Sequence, residues 1–160
     1  MKERGFSLIE LLIVVAIILV IVAIAIPSFL HSKIAANEAS AVYSIRTINT
    51  AQVTYASTYP TVGYASTLNM LAAPTSGPIS SNNAGVLDWV LGCTTTVCPK
   101  SGYNFQLYNV TGSPVVSGYS VSGVPMTIGI TGYRGFCSTN MNPVMYSTDG
   151  STANCNQPLQ

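Results

Sequence analysis

From Phe6 to Ile26 the sequence reads FSLIELLIVVAIILVIVAIAI, 21 residues with one formal charge, at Glu10. As an α-helix rising about 1.5 Å per residue it is about 31 Å long, close to the roughly 30 Å hydrocarbon thickness of a bilayer. The stretch predicts a membrane-spanning helix. Lys2 and Arg4 stand ahead of it with Glu3 between them, and the next lysine or arginine is Lys33. The positive-inside rule then puts the N-terminus in the cytoplasm and the residues after the run across the membrane. Composition agrees: 48% of the 160 residues are apolar and 7% are charged, where a soluble domain carries about 25%. So charge-poor a chain lies in a membrane or packs against copies of itself. Its apolar content excludes disorder as the main state. A net charge of +1 with no run of cations excludes a specific nucleic-acid partner.

Two simpler readings of the N-terminus compete. A secretory signal peptide would be cut after Ala25, in the small-x-small stretch Ala23, Ile24, Ala25. Against it, the run exceeds the roughly 7 to 15 residues of an ordinary signal core, and a removable segment gains nothing from Glu10. A plain anchor meets the same difficulty, because an intramembrane carboxylate costs up to about 2.5 to 3.5 kcal/mol, less near a helix end. Glu10 requires a compensating partner.

The stretch Lys2, Glu3, Arg4, Gly5, Phe6, Ser7, Leu8, Ile9, Glu10, followed by the unbroken apolar run, resembles the class III leader and N-terminal segment of type IV prepilins and their pseudopilin relatives. The resemblance covers about the first 30 residues. It implies that residues 1–5 are a leader removed by a prepilin peptidase after Gly5, and that the new amine on Phe6 is methylated. It also implies that Glu10, fifth in the mature chain, serves assembly, and that Pro27 is the helix kink. The implied partners are the lipid bilayer, an inner-membrane assembly platform and copies of the chain in a helical filament. Physical chemistry supplies a reason for the motif. Cleavage would create a cation one helical turn from Glu10; in a lone helix the partner can be the chain's own terminus, and in staggered copies it can be the amine of an incoming subunit, which is the arrangement the resemblance implies. Setting register is the best-attested use of a buried ion pair.

Past the membrane the helical pattern continues to about Tyr59. Ala41, Val42, Ile45, Ile48, Gln52, Tyr55 and Tyr59 share one side, while Arg46, Thr47, Thr50, Thr54 and Ser57 face the other. Pro27 removes one ladder hydrogen bond and bends the helix rather than ending it. After Pro60 the sequence turns to Gly, Ser, Thr, Pro and Asn: a loop over 61–92 with a helical turn near Ser66 to Leu71. Alternation then predicts strands at Tyr103, Phe105 and Leu107, at Tyr119 and Val121, and at Met126, Ile128 and Ile130, with a short one from Val144 to Ser147. The expected fold is α+β. A long helix, residues 6–59 and transmembrane over 6–26, packs its second half on an antiparallel sheet of three to four strands within a 60–160 head on the periplasmic or extracellular side.

All four cysteines, Cys93, Cys98, Cys137 and Cys155, follow the membrane segment, and an even number in an oxidising compartment predicts disulfides. Three pairings are open. Cys93 with Cys98 and Cys137 with Cys155 is favoured because both are local and because a stapled C-terminal loop is a device of the resembled family. The longer bridge would contribute about 3 kcal/mol on a loop-entropy basis. Zinc, the competing use, needs closer ligand pairs, and His31 is far away in sequence. No metal and no cofactor is expected. Asp149, Gly150, Ser151 and Asn154 have some character of a calcium loop, but a lone carboxylate there reads as a turn. Asn109, Val110 and Thr111 fit a glycosylation acceptor, too short a pattern to carry weight. No catalytic set assembles around the single histidine, so an enzyme is not expected.

The sequence thus predicts a structural subunit of a type IV pilus, held in the inner membrane and then carried to the cell surface. One alternative is a pseudopilin of a type II secretion system building a periplasmic pseudopilus. The other is a membrane-anchored periplasmic binding module.

Overall fold

A computed structural model of the chain describes residues 6–159. The leader, with Lys2, Arg4 and Gly5, lies outside them. The elements in chain order are α1 (Leu8–Thr58), α2 (Leu68–Leu71), β1 (Cys98–Lys100), β2 (Tyr103–Thr111), β3 (Gly118–Pro125), β4 (Gly135–Thr139), β5 (Met145–Ser147) and β6 (Gln157–Pro158). Two compact units divide the chain between Lys33 and Ile34, and α1 runs through both.

In the N-terminal unit every described residue is exposed. Its valines and isoleucines lose side-chain freedom in a helix, so propensity in water is no reason for fifty helical residues. In lipid the balance changes, because a helix pairs every backbone donor and acceptor within the segment. Pro27 lies inside α1.

The second unit owns the core. From Ile34 onward α1 buries Ile34, Glu38, Ala41, Ser44, Ile45, Ile48, Ala51, Gln52 and Tyr55, spaced mostly at three and four residues. On its outer side the hydroxyls of Thr47, Thr50, Thr54 and Thr58 donate to carbonyls one turn back, at 2.8 to 3.0 Å. The buried face meets Tyr103 and Phe105 of β2, Val121 of β3 and Phe136 of β4 in one apolar cluster that also takes in Leu71 and Leu91. Gln52 ties the chain down after the helix: its Nε2 donates to the Ala65 carbonyl at 2.9 Å and its Oε1 accepts the Ala65 N–H at 2.8 Å. Tyr55 Oη donates to the Ser81 carbonyl at 2.6 Å, further pinning the long connection.

The sheet is an antiparallel meander in the order β1-β2-β3-β4-β5-β6. Phe105 faces Gly123 across β2 and β3, and a Cβ at 123 would stand 2.8 Å from the Phe105 ring, so the crossing needs glycine. The architecture is α+β with a long helix on an antiparallel sheet, but it has six strands instead of the three to four expected. β1 and β6 are three- and two-residue edge strands holding Pro99 and Pro158. Proline suits such edges, and pieces so short show no alternation. The strand expected at Met126, Ile128 and Ile130 does not exist. β3 stops at Pro125, and the next residues form a turn in which the Ile130 and Thr131 N–H groups both donate to the Thr127 carbonyl.

Candidate assembly site

Ser7 immediately precedes α1, and its N–H donates to Glu10 Oε2 at 2.9 Å while its carbonyl accepts the Leu11 N–H at 3.2 Å. Ser-x-x-Glu is the spacing of a capping box, and this is the arm in which the glutamate reaches back to the cap residue's N–H. The carboxylate thereby sits in the first turn, at the positive end of the helix dipole. Around it Phe6, Leu8, Ile9, Leu11, Leu12 and Ile13 are all exposed. The segment therefore presents an apolar rod with a single carboxylate near its start. The Phe6 nitrogen is a peptide nitrogen in this chain, and Gly5 on its other side lies outside the described residues.

A second carboxylate, missed in the sequence, closes the other unit. Glu38 is only 6% exposed. Its Oε1 accepts the N–H groups of Tyr133 and Arg134 at 3.0 and 3.1 Å, and its Oε2 accepts from Arg134 Nε and pairs with Nη2, both at 2.7 Å. The Arg134 guanidinium lies 5.6 Å from the Phe136 ring centroid and 5.3 Å from that of Tyr146. Tyr103 Oη donates to the Arg134 carbonyl at 2.9 Å. Burial pushes the Tyr103 phenol well above its ordinary range, the Glu38 carboxylate adds to the shift, and Arg134 opposes it. The signal was in the spacing, since Glu38 falls four residues after Ile34 and three before Ala41, on the stripe that enters the core.

Cys93 is bonded to Cys98, and Cys137 of β4 to Cys155, with Cα separations of 5.6 and 6.1 Å. The second bridge encloses β5. Inside that loop Asp149 accepts from the Ser151 N–H at 2.9 Å, from Ser151 Oγ at 2.8 Å and from Asn154 Nδ2 at 3.0 Å. These bonds, the Ser151 backbone first, hold its carboxyl below the usual carboxylate range. Both oxygens are thus engaged within the turn. Among the described residues no group of three His, Cys, Asp or Glu side chains is placed to hold a metal ion.

Residues 1–26 match the family described as the prokaryotic N-terminal methylation motif. The chain carries a type IV prepilin N-terminus. It is similar to the Type IV major pilin protein PilA of Myxococcus xanthus (strain DK1622), with 43% identity over 54 residues, or 34% of this chain. That match spans 24% of the relative's length, about a quarter of it. No solved structure matches the chain. A prepilin N-terminus of this kind belongs to pilin-like and pseudopilin-like chains alike, and here it is continuous with an exposed apolar helix and followed by a disulfide-bonded α+β unit.

Proposed function

We propose that this chain is a structural, non-enzymatic subunit of a type IV pilus. It waits in the inner membrane with its N-terminus cytoplasmic, loses residues 1–5 to a prepilin peptidase, is methylated on Phe6 and polymerises through α1 at an assembly platform. In this reading Pro27 lets the apolar part of the helix bend within the filament. The observation that carries the proposal is the exposed apolar start of α1 with Glu10 as its single carboxylate. An export signal or a plain anchor could use that residue only to cap the helix, which does not need the charge, whereas a neighbour's Phe6 amine would neutralise it and fix the stagger. The relative's name, a major pilin, and the C-terminal loop closed by Cys137 and Cys155 support a pilus over a pseudopilus.

Mass spectrometry of fibres sheared from the cell surface tests this. The expected species is the chain beginning at N-methylated Phe6. A mature chain beginning at Ile26 would establish a signal peptide. Correctly processed protein found only in periplasmic fibres would assign it to a pseudopilus, and protein confined to the membrane in no fibre would make it an anchored module.

A further inference from the structure

Charge is scarce enough in the second unit that each ion can be followed to its partner. Among the described residues, Glu38 pairs with Arg134 at 2.7 Å and Asp88 with Lys100 at 3.1 Å. Arg46 and Asp149 remain, one cation and one carboxylate, both exposed and neither in an ion pair among those residues. Arg46 lines two clefts of about 360 and 580 Å³, one walled by Pro143, Val144 and Pro158 and the other by Tyr43, Thr54 and Val86. Asp149 is held in orientation by Ser151 and Asn154, and of these three bonds its Oδ2 takes only one, which leaves a carboxylate oxygen open to a further donor. The exposed Ile128 stands beside Gly150, so each ion has apolar surface next to it.

We propose that Arg46 of one copy and Asp149 of the next form an ion pair that joins neighbouring heads in the filament. The contact rests on the reading of the chain as a fibre subunit. A second copy is the favoured occupant on charge, because the exposed carboxylate that complements Arg46 is carried by the same chain. Opposite charges on two different patches of one chain make a heterologous, head-to-tail contact, which yields an open filament when its rotation does not close. The patches also stand at different levels of the head. Glu38 accepts the Tyr133 N–H, and a Cβ at Gly150 would be 3.1 Å from the Tyr133 carbonyl oxygen, so the Asp149 turn lies near the Glu38 end of the buried stripe. Arg46 follows Glu38 by eight residues, about 12 Å along the helix. Parallel copies that pair the two are therefore offset along α1, as subunits of a fibre are. An exposed ion pair contributes little alone, so the isolated head stays monomeric. Copies already gathered through α1 meet at high effective concentration, and there the pair selects how the heads meet.

Charge exchange tests this, with the altered full-length chain as the sole subunit and fibre amounts compared at equal membrane level. Arg46→Glu and Asp149→Lys each set like charges against one another and should each deplete sheared fibres at least about tenfold, and the two together should return them to within about threefold of wild type. The absence of free thiols checks folding. Wild-type fibre amounts from both single variants overturn the pair and leave the pilus reading intact, whereas a wild-type chain found in no fibre overturns that reading and the contact with it. Asp149→Lys also breaks the turn bonds from Ser151 and Asn154, so a second measurement avoids that substitution. In Arg46→Lys fibres treated with a carbodiimide, the amine at position 46 and the Asp149 carboxyl should condense, with loss of water, to an amide that links two copies and is missing from detergent-dispersed monomers. Lys100 and Asp88, 3.1 Å apart within one head, supply the internal reference. Fibres that carry the link from 88 to 100 but none from 46 to 149 overturn the proposal whatever the exchange shows.

Discussion

The Ser7 N–H that Glu10 accepts at 2.9 Å is one of the donors that every helix start leaves without an intrahelical partner, and in lipid no water replaces it. A carboxylate at position 10 therefore has a use inside its own chain, and the proposed pairing with a neighbour's amine has to be separated from it. Glutamine does so, because it keeps an oxygen for the Ser7 N–H and removes the charge. With wild-type subunits absent, Glu10→Gln and Glu10→Ala are both expected to reach the membrane normally. Both should be depleted from sheared fibres at least about tenfold, equivalent to about 1.4 kcal/mol. Membrane-fraction and fibre amounts measure this. Normal fibres from Glu10→Gln would reduce the residue to a helix cap and remove the ion pair from the mechanism. Glu10 was legible because a charge interrupts an apolar run. For Glu38 the spacing from Ile34 and Ala41 marks a place on the buried stripe but no partner, and only the position of Tyr133 and Arg134 in space makes it an anchor.

Among the elements, the second half of α1 could be read because a spacing mostly of three and four is sustained from Ile34 to Tyr55, and the first half because its apolar run is unbroken but for Glu10. β2 was legible in Tyr103 and Phe105, which are buried as their alternation requires, and β3 in Tyr119 and Val121, although Ser120 and Ser122 between and beside them are buried as well. The same period failed at Met126, Ile128 and Ile130. Alternation records which side chains share a side, not whether a partner strand exists, and Pro125 with the turn around Thr127 ends the pairing first. The ion pair between Glu38 and Arg134 joins α1 to the residues that lead into β4, so its loss should loosen that junction rather than any one strand. Arg134→Met keeps an apolar stem against Phe136 and Tyr146 but leaves the carboxylate with two backbone N–H groups. A buried pair broken in this way costs about 3 to 5 kcal/mol. Because the Arg134 side chain is 42% exposed, a loss of about 2 kcal/mol is the expected figure. Adding Glu38→Gln to Arg134→Met should recover part of it, since the amide oxygen still accepts from the backbone. Urea unfolding of the full chain in detergent provides the comparison, and a double variant weaker than Arg134→Met alone would show that the carboxylate does not need its cation.

For the whole molecule, the low share of charged residues is divided between two solvents. The N-terminal unit buries none of its described side chains, and the second unit contains every residue of the buried cluster. Stability of the head should therefore not depend on the apolar half of α1, and that half should be responsible for its insolubility. A chain shortened to begin at Pro27 and exported to the periplasm removes the entire 6–26 run while keeping Ile34 and the stripe behind it. It is expected to be soluble and monomeric, to show no free thiol without reduction, and to unfold at the same urea concentration as the full chain in detergent. Sedimentation and thiol titration decide the first two expectations. Four titratable thiols would refute both disulfides at once, and a soluble but clearly weakened head would show that the membrane half of α1 supports the core from outside it. Aggregation would locate a second adhesive surface in the head itself, and Met126, Ile128 and Ile130 are where it would lie. Replacing those three with serine should then restore the monomer, because all three side chains are exposed and the turn beneath them is kept by its own backbone bonds.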